Sequence, residues 1–519
     1  MSHRSLRRLK QILLPALLVV AAIATPGQNQ LDRQNIVKIT LLHVNDVYQF
    51  TSVDQDKFGG LDRVMTIRKQ VALESPNILF LMAGDTISPS VESITYKGAQ
   101  MIEAWNVAGL DYAVFGNHEF DFGPDVLKQR MLESRFKWLG ANVTEKPDEA
   151  GPGSEQPKVF GGGLAYDIRE LSGVKIGILG LVLPETKVTS RPGSNVQFAL
   201  PCDTAKRLIP EMRTRGAQVI IALTHLSMRE DKELARCAPI DIIIGGHEHT
   251  LLQSLSGRTP IFKMDADARE VGRVDLNIDT ATGRLASVDW RVIPVTNEIP
   301  GDPQFAAVTR KYEPILRELA KAVGRTSVPL DARSAPNRTR ETNMGSFIAD
   351  AFREGTGADV AIMNGGSIRA DAVIPAGQLT RRDILSILPF ANRLVKLRVT
   401  GETLLKAIEH GVSRSAEDAE PGMFPQISGM KFTYDASKAP GARVIELTIN
   451  GQAVNLKGTY TVATTTFIGL DGGDGYNMFR GATLVEQPTL TDSEILSKAI
   501  SSVPSIAPRV EGRIKRVDQ

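Results

Sequence analysis

The chain has 519 residues, 42% of them hydrophobic and 23% charged; at roughly 150 residues per domain it holds two to four domains with large cores. That composition, without any internal period, excludes wholesale disorder, collagen, coiled coil and repeat arrays. The formal net charge is +2, and apart from Arg4, Arg7, Arg8 and Lys10 the chain carries 57 basic against 59 acidic residues, so it lacks the basic excess with which domains bind nucleic-acid polymers.

Those four basic residues precede an apolar run, Ile12 to Ala24, broken only by Pro15 and ending Ala22-Ile23-Ala24. Basic head, short apolar run and small residues are the layout of a secretory signal peptide, read as residues 1–24. The run is shorter than the ~20 residues that span a bilayer, so an uncleaved anchor is the weaker alternative. The C-terminus is polar, unlike a removable anchor tail. The mature chain is expected to be exported, periplasmic or extracellular, without a stable membrane span. Export permits a disulfide between Cys202 and Cys237, but sequence alone does not bring their Cα atoms together.

From Ile36 to about Pro300, short apolar runs alternate with turns and amphipathic stretches. The runs are Ile36–Leu42, Asn77–Met82, Tyr112–Phe115, Lys175–Val182, Val219–Leu223 and Ile240–Ile244. Near-continuous apolar strands alternating with helices predict a layered α/β sheet buried on both faces. Residues 144–158, polar and rich in Pro and Gly, read as a surface loop. Between Gly301 and Gly324 the positions Phe305, Val308, Tyr312, Ile315, Leu316, Leu319 and Val323 recur at helical spacing, predicting one long amphipathic helix and a domain junction. The next unit opens on a helix with the stripe Met344, Phe347, Ile348, Ala351 and Phe352, ended by Gly355.

Ligand-type residues fall at the ends of the predicted strands. Asp46 follows the first run, Asp85 the second, Asn117-His118-Glu119 the third, His225 the fifth and His247-Glu248-His249 the sixth. In open α/β sheets functional groups gather at the carboxyl ends of strands, so these would meet along one edge. A mixed O/N donor set suits two divalent cations acting on an in-line displacement at phosphorus.

These residues carry a resemblance. Asn45-Asp46, Gly84-Asp85, Gly116-Asn117-His118-Glu119-Phe120-Asp121, Thr224-His225 and Gly245-Gly246-His247-Glu248-His249 resemble, in order and spacing, the signature of dinuclear metallophosphoesterases. With the second unit, residues 36–515 resemble the 5′-nucleotidase family. The resemblance implies an N-terminal four-layer α/β/β/α sandwich over 36–300, a linker helix over 301–325 and a C-terminal α+β nucleotide-binding domain over 326–519. It implies a first metal held by Asp46, Asp85 and His249 and a second by Asp85, Asn117, His225 and His247, the ions being Zn, Mn, Co or Fe. His118 and Asp121 become the catalytic pair.

The family usually has histidine two residues after the first aspartate, where this chain has Tyr48. Tyr48 either binds metal as a phenolate or does not bind.

The segments Asn337 to Glu341, Asn364 to Arg369, Leu388 to Asn392 and Gly472 to Tyr476 resemble the family's C-terminal domain. There Arg338 and Arg369 would hold phosphate, Asn364 the base and Asp474 the ribose hydroxyls. Phe424 and Phe467 would clamp the base, although the stretch from Phe467 to Asp474 is one residue longer than usual. The implied activity is metal-dependent hydrolysis of nucleoside 5′-monophosphates, with the domains rotating about the 301–324 helix. The alternatives are hydrolysis of UDP-sugars or 2′,3′-cyclic nucleotides and, from another class, a non-catalytic nucleotide-binding surface protein.

Overall fold

The computed structural model describes residues 35–54, 56–146, 158–416 and 421–518. The proposed signal peptide and most of the 144–158 loop lie outside the described residues.

Two six-stranded sheets build the first part. One runs in the order Arg284–Pro294, Glu270–Asp279, Ile36–Val44, Ile78–Met82, Tyr112–Val114, Lys137–Leu139; its last four strands are parallel. The other runs Leu252–Ser256, Thr259–Lys263, Ile242–Gly245, Val219–His225, Val174–Val182, Tyr166–Leu171, with a parallel centre. Alternation along each strand divides its side chains between two layers. Ile39 and Leu41 join Ile176, Ile178, Ile221, Leu223, Ile242 and Ile244 in the layer between the sheets. Leu42 and Val44 turn to the opposite face, where helices such as Leu61–Glu74 and Ala99–Ala108 cover them. On the outer face of the second sheet lie the helices Pro201–Thr214 and Met228–Cys237. The four layers α/β/β/α explain why the central strands read as continuous apolar runs.

Cys202 and Cys237 form a disulfide, Cα atoms 6.0 Å apart, joining the start of the Pro201–Thr214 helix to the end of Met228–Cys237.

The single helix expected over 301–324 is shorter. A 3-10 turn, Pro303–Phe305, leads into Ala306–Leu319, and residues Ala322–Thr326 form a strand paired antiparallel with Gly377–Thr380. Phe305, Val308 and Tyr312 are buried in the sandwich core as their spacing predicts. Val323 shares that spacing but lies in the strand. A Cβ on Gly324 would stand 2.6 Å from Ile500 Cγ2, so this glycine lets the strand approach the helix Asp492–Ser501 closely. The helix Asn343–Thr356 ends not at Gly355 but at Gly357, whose φ of 58° supplies the left-handed cap.

A five-stranded sheet, ordered Pro425–Ser428, Val360–Asn364, Thr459–Thr465, Leu394–Thr400, Thr483–Glu486, organises the rest, beside a four-stranded sheet centred on Val444–Ile449 and Met430–Tyr434. This mixed α+β unit presents the ends of Val360–Asn364 and Thr459–Thr465 towards the sandwich's ligand-bearing edge.

Candidate metal centre and substrate site

The strand-end residues meet. Asp46 and Asp85 both follow parallel strands and both adopt left-handed backbone, φ 53° and 61°, which turns their carboxylates towards one another. Each has one oxygen tied by the protein. Asp46 Oδ2 accepts the Asn45 amide at 2.8 Å and the His247 backbone N–H at 2.9 Å. Asp85 Oδ1 accepts the His118 backbone N–H at 2.8 Å. The remaining oxygens, Asp46 Oδ1 and Asp85 Oδ2, share a space with the His225 ring, the donor atoms of all three residues lying within 4.8 Å of one another. Gly246 makes room: a Cβ there would lie 2.2 Å from Ala83 O and 3.1 Å from Asp46 Oδ2.

The donor chemistry fits a cation. His225 Nδ1 is 2.9 Å from Ala83 O; a carbonyl only accepts, so Nδ1 carries the hydrogen. Nε2 then points its free valence at Asp85 Oδ2, 3.1 Å away, with no hydrogen-bond partner. Buried Asn117 Oδ1 also has none. Two carboxylate oxygens and an imidazole nitrogen facing one space repel unless positive charge lies between them. A proton on Nε2 meets the same need for positive charge: burial disfavours a cationic His225, yet Asp85 and Asp46 hold its pKa up at about 10. His247 packs edge-on to His225, ring centres 5.2 Å apart, and burial and the His225 charge push its pKa well down. His249 Nε2 stands 3.4 Å from Asp46 Oδ1.

Tyr48 reaches into this cluster. Its hydroxyl is 3.2 Å from Asp46 Oδ1, 2.9 Å from His249 Nε2 and 3.4 Å from Asp85 Oδ2. Burial, then the Asp46 and Asp85 charges, push its pKa well above 10. Arg369, from the second unit, lies 5.8 Å over the Tyr48 ring, with Nη2 3.4 Å from the hydroxyl.

His118 Nδ1 bonds Asp121 Oδ2 at 2.7 Å, and Asp121 Oδ1 accepts Ser190 Oγ at 2.7 Å. Phe390 stacks on the His118 ring, 5.8 Å between centres at 22°. Glu119 accepts the backbone N–H groups of Asp85, Thr86 and Gly116 at 2.9, 2.7 and 2.5 Å, fixing the turn that presents Asp85. Burial and the Asp85 charge raise its pKa to about 7.

In the second unit, Asn364 donates to Asp474 Oδ2 at 2.6 Å and accepts Ser367 Oγ at 2.7 Å. Burial raises the pKa of Asp474, opposed by its bond from Asn364 and by the charges of Arg338, His410 and, across the cleft, His118. Arg382 bonds Glu92 at 2.9 Å and Gln49 at 3.1 Å, and Arg191 bonds Asn392 at 2.8 Å, tying the two sides together.

Of the two rings expected to clamp a base, Phe424 lies in the core and Phe467 is half-buried. Phe424 is 0% exposed and packs against Tyr434, ring centres 6.4 Å apart. Its carbonyl accepts the Gly365 N–H at 2.7 Å, which pins the chain where it enters the Pro425–Ser428 strand and seats the ring in the core. Phe467 is half-buried against the Gly472-Gly473 turn: a Cβ on Gly473 would lie 2.4 Å from its ring. Ser190, Arg382 and Glu92 carry no sequence signal, because each acts through a partner distant in the chain, and Phe390 meets His118 from a segment 272 residues away.

Among the described residues no helix is long and apolar enough to cross a membrane. Residues 39–251 match the family described as calcineurin-like phosphoesterase, and residues 322–481 match the 5′-nucleotidase C-terminal domain. The chain is 30% identical to the 5′-nucleotidase of Homo sapiens over 92% of its own length and 91% of that protein. It is 32% identical to the trifunctional nucleotide phosphoesterase of Bacillus subtilis, over 92% of this chain but 35% of that longer protein. A crystal structure of a 5′-nucleotidase precursor from Thermus thermophilus superposes with a TM-score of 0.84 at 28% identity, covering 93% of this chain and all of that one. A carboxylate–imidazole cluster on a four-layer sandwich, a second unit that matches the 5′-nucleotidase C-terminal domain and likeness to such an enzyme over 92% of the chain lead to one conclusion: the chain belongs to the 5′-nucleotidase family and is a phosphoric ester hydrolase.

Proposed function

We propose that the protein is an exported phosphatase that hydrolyses nucleoside 5′-monophosphates, with residues 36–300 supplying the metal centre and residues 326–519 the nucleotide contacts. The observation that carries this reading is the pair of aspartates, each with one oxygen held by the protein, whose donor atoms and that of His225 lie within 4.8 Å of one another. Asp46, Asp85 and His249 would hold one divalent ion, and Asp85, Asn117, His225 and His247 the other. Bound there, such a pair polarises phosphoryl oxygens and lowers the pKa of the attacking water. His118, oriented by Asp121, faces the same cleft and donates hydrogen-bonding or positive character to charge developing on phosphorus oxygens. Arg369 brings a planar guanidinium beside the centre, suited to a phosphate. Asn364, Asp474 and Arg338 supply polar contacts for the nucleoside. Export is supported by the amino-terminal sequence and by the likeness to a snake venom 5′-nucleotidase of Naja atra.

The test is a phosphate-release screen over AMP, UMP, UDP-glucose, 2′,3′-cyclic AMP and p-nitrophenyl phosphate, with Mn²⁺, Zn²⁺ and Co²⁺ supplied separately to chelator-stripped protein. Nucleoside monophosphates should be turned over with metal and not without it. His118→Ala should lower kcat about 10²–10³-fold, as for loss of one well-placed stabilising group, while metal stoichiometry stays unchanged. Hydrolysis confined to UDP-glucose or the cyclic nucleotide would replace the substrate assignment, and full activity in His118→Ala would remove that residue's role.

A further inference from the structure

Behind the metal centre lies a lysine that the preceding chemistry does not use. Lys263 ends the Thr259–Lys263 strand and pairs with Gly245, the residue that leads into the His247-Glu248-His249 turn. Its side chain is 0% exposed. The ammonium donates to Leu226 O at 2.5 Å, Gly246 O at 2.9 Å and Glu248 Oε2 at 2.5 Å, and stands 2.9 Å from Asp231 Oδ2 in an ion pair. Leu226 follows His225, Gly246 precedes His247, and Glu248 stands between His247 and His249. One buried charge therefore grips both turns that present the three histidines. The grip is reinforced: Glu248 Oε1 accepts the Met228 N–H at 2.5 Å, and Asp231 Oδ1 accepts Thr224 Oγ1 at 2.8 Å, beside His225. A Cβ on Gly245 would lie 2.9 Å from Lys263 Cε and 3.0 Å from Asp231 Oδ2, so that glycine is the space the clamp needs.

A buried ion pair is poor at stabilising a fold, because desolvation offsets its attraction; its use is to specify one geometry. We propose that Lys263, with Glu248 and Asp231, is a positioning residue that sets the mutual placement of His225, His247 and His249 and thereby the affinity of the centre for divalent cations. The proposal rests on the metal-centre reading above.

Two variants test it. Glu248→Gln removes the charge at the partly exposed end of the clamp. Lys263→Met combined with Asp231→Asn removes its interior without leaving a buried carboxylate unpaired. Mn²⁺ binding to chelator-stripped protein is measured by calorimetry, and thermal unfolding is followed without metal. The expected result is Mn²⁺ affinity weakened about 10–100-fold, the range for groups that orient metal ligands, with the metal-free unfolding temperature nearly unchanged and kcat reduced more than KM. Affinity within about threefold of wild type in folded Glu248→Gln overturns the proposal, as does an affinity loss fully matched by loss of the metal-free fold. If the double variant does not fold, Glu248→Gln decides alone. Failure of the wild-type protein to bind Mn²⁺ would instead overturn the metal-centre reading.

Discussion

Tyr48 is where this chain departs from its family, and its geometry sets a definite expectation. At pH 7, ionising even an unperturbed phenol of pKa 10 costs about 4 kcal/mol, three pH units at about 1.36 kcal/mol each. Burial beside Asp46 and Asp85 pushes Tyr48 well above that pKa, opposed by Arg369. A divalent ion bound as phenolate has to supply all of this before it gains affinity. We therefore expect the hydroxyl to stay protonated, donating to Asp46 Oδ1, with the first ion held by Asp46, Asp85 and His249 alone. Tyr48→Phe then removes one hydrogen bond worth ~1 kcal/mol, and first-ion affinity stays within about fivefold. Tyr48→His adds a neutral nitrogen donor and should tighten the first ion while sparing the second. The assay is calorimetric titration of chelator-stripped wild type, Tyr48→Phe and Tyr48→His with Mn²⁺, plus absorption spectra of the ferric form. A loss of about tenfold or more in Tyr48→Phe, about 1.4 kcal/mol, with a visible phenolate-to-iron band that this variant lacks, would refute the reasoning.

Three further expectations follow from the same structure. Replacing Cys202 and Cys237 by serine opens a 35-residue loop, and the loop-closure relation gives a cost of about 4 kcal/mol; urea unfolding should show this with activity at 25 °C retained, and a difference below about 1 kcal/mol would count against it. Phe424→Ala should act on stability, about 3–5 kcal/mol for a buried phenylalanine, lowering activity on AMP and p-nitrophenyl phosphate alike, whereas a selective rise in KM for AMP would restore the clamp. Asp492 is buried at the start of the Asp492–Ser501 helix, and burial raises its pKa from 3.8 to about 7. The folded state holds that proton more tightly than the unfolded chain, so its contribution is full below pH 4 and lost as pH rises to 7. Asp492→Asn should therefore be a few kcal/mol more stable than wild type at pH 8 and equal near pH 4; an equal difference at both values would refute the assignment.

The cluster of Asp46, Asp85 and His225 was legible in the sequence because each time an apolar run is followed by a turn with a ligand-type residue: Asn45-Asp46, Gly84-Asp85 and Thr224-His225. Parallel strands buried on both faces leave continuous apolar runs, and their carboxyl ends share one edge, so adjacency in sequence predicts adjacency in space. Only the tertiary structure decided the rest. Helical spacing ran past Leu319 to Val323, but strand pairing with residues 377–380 takes over there, a contact that periodicity does not encode. Phe424 is expected from the resemblance to clamp a base, yet its ring lies in the core, with its carbonyl accepting the Gly365 N–H. The Cys202–Cys237 bond needed two helices to pack side by side. Lys263 carries no signal in the sequence; its role exists only because two turns, up to 37 residues away along the chain, converge on one buried ammonium. Local hydrogen-bonding and hydrophobic patterns are written along the chain, whereas burial of a charge or a ring depends on what distant segments bring to it.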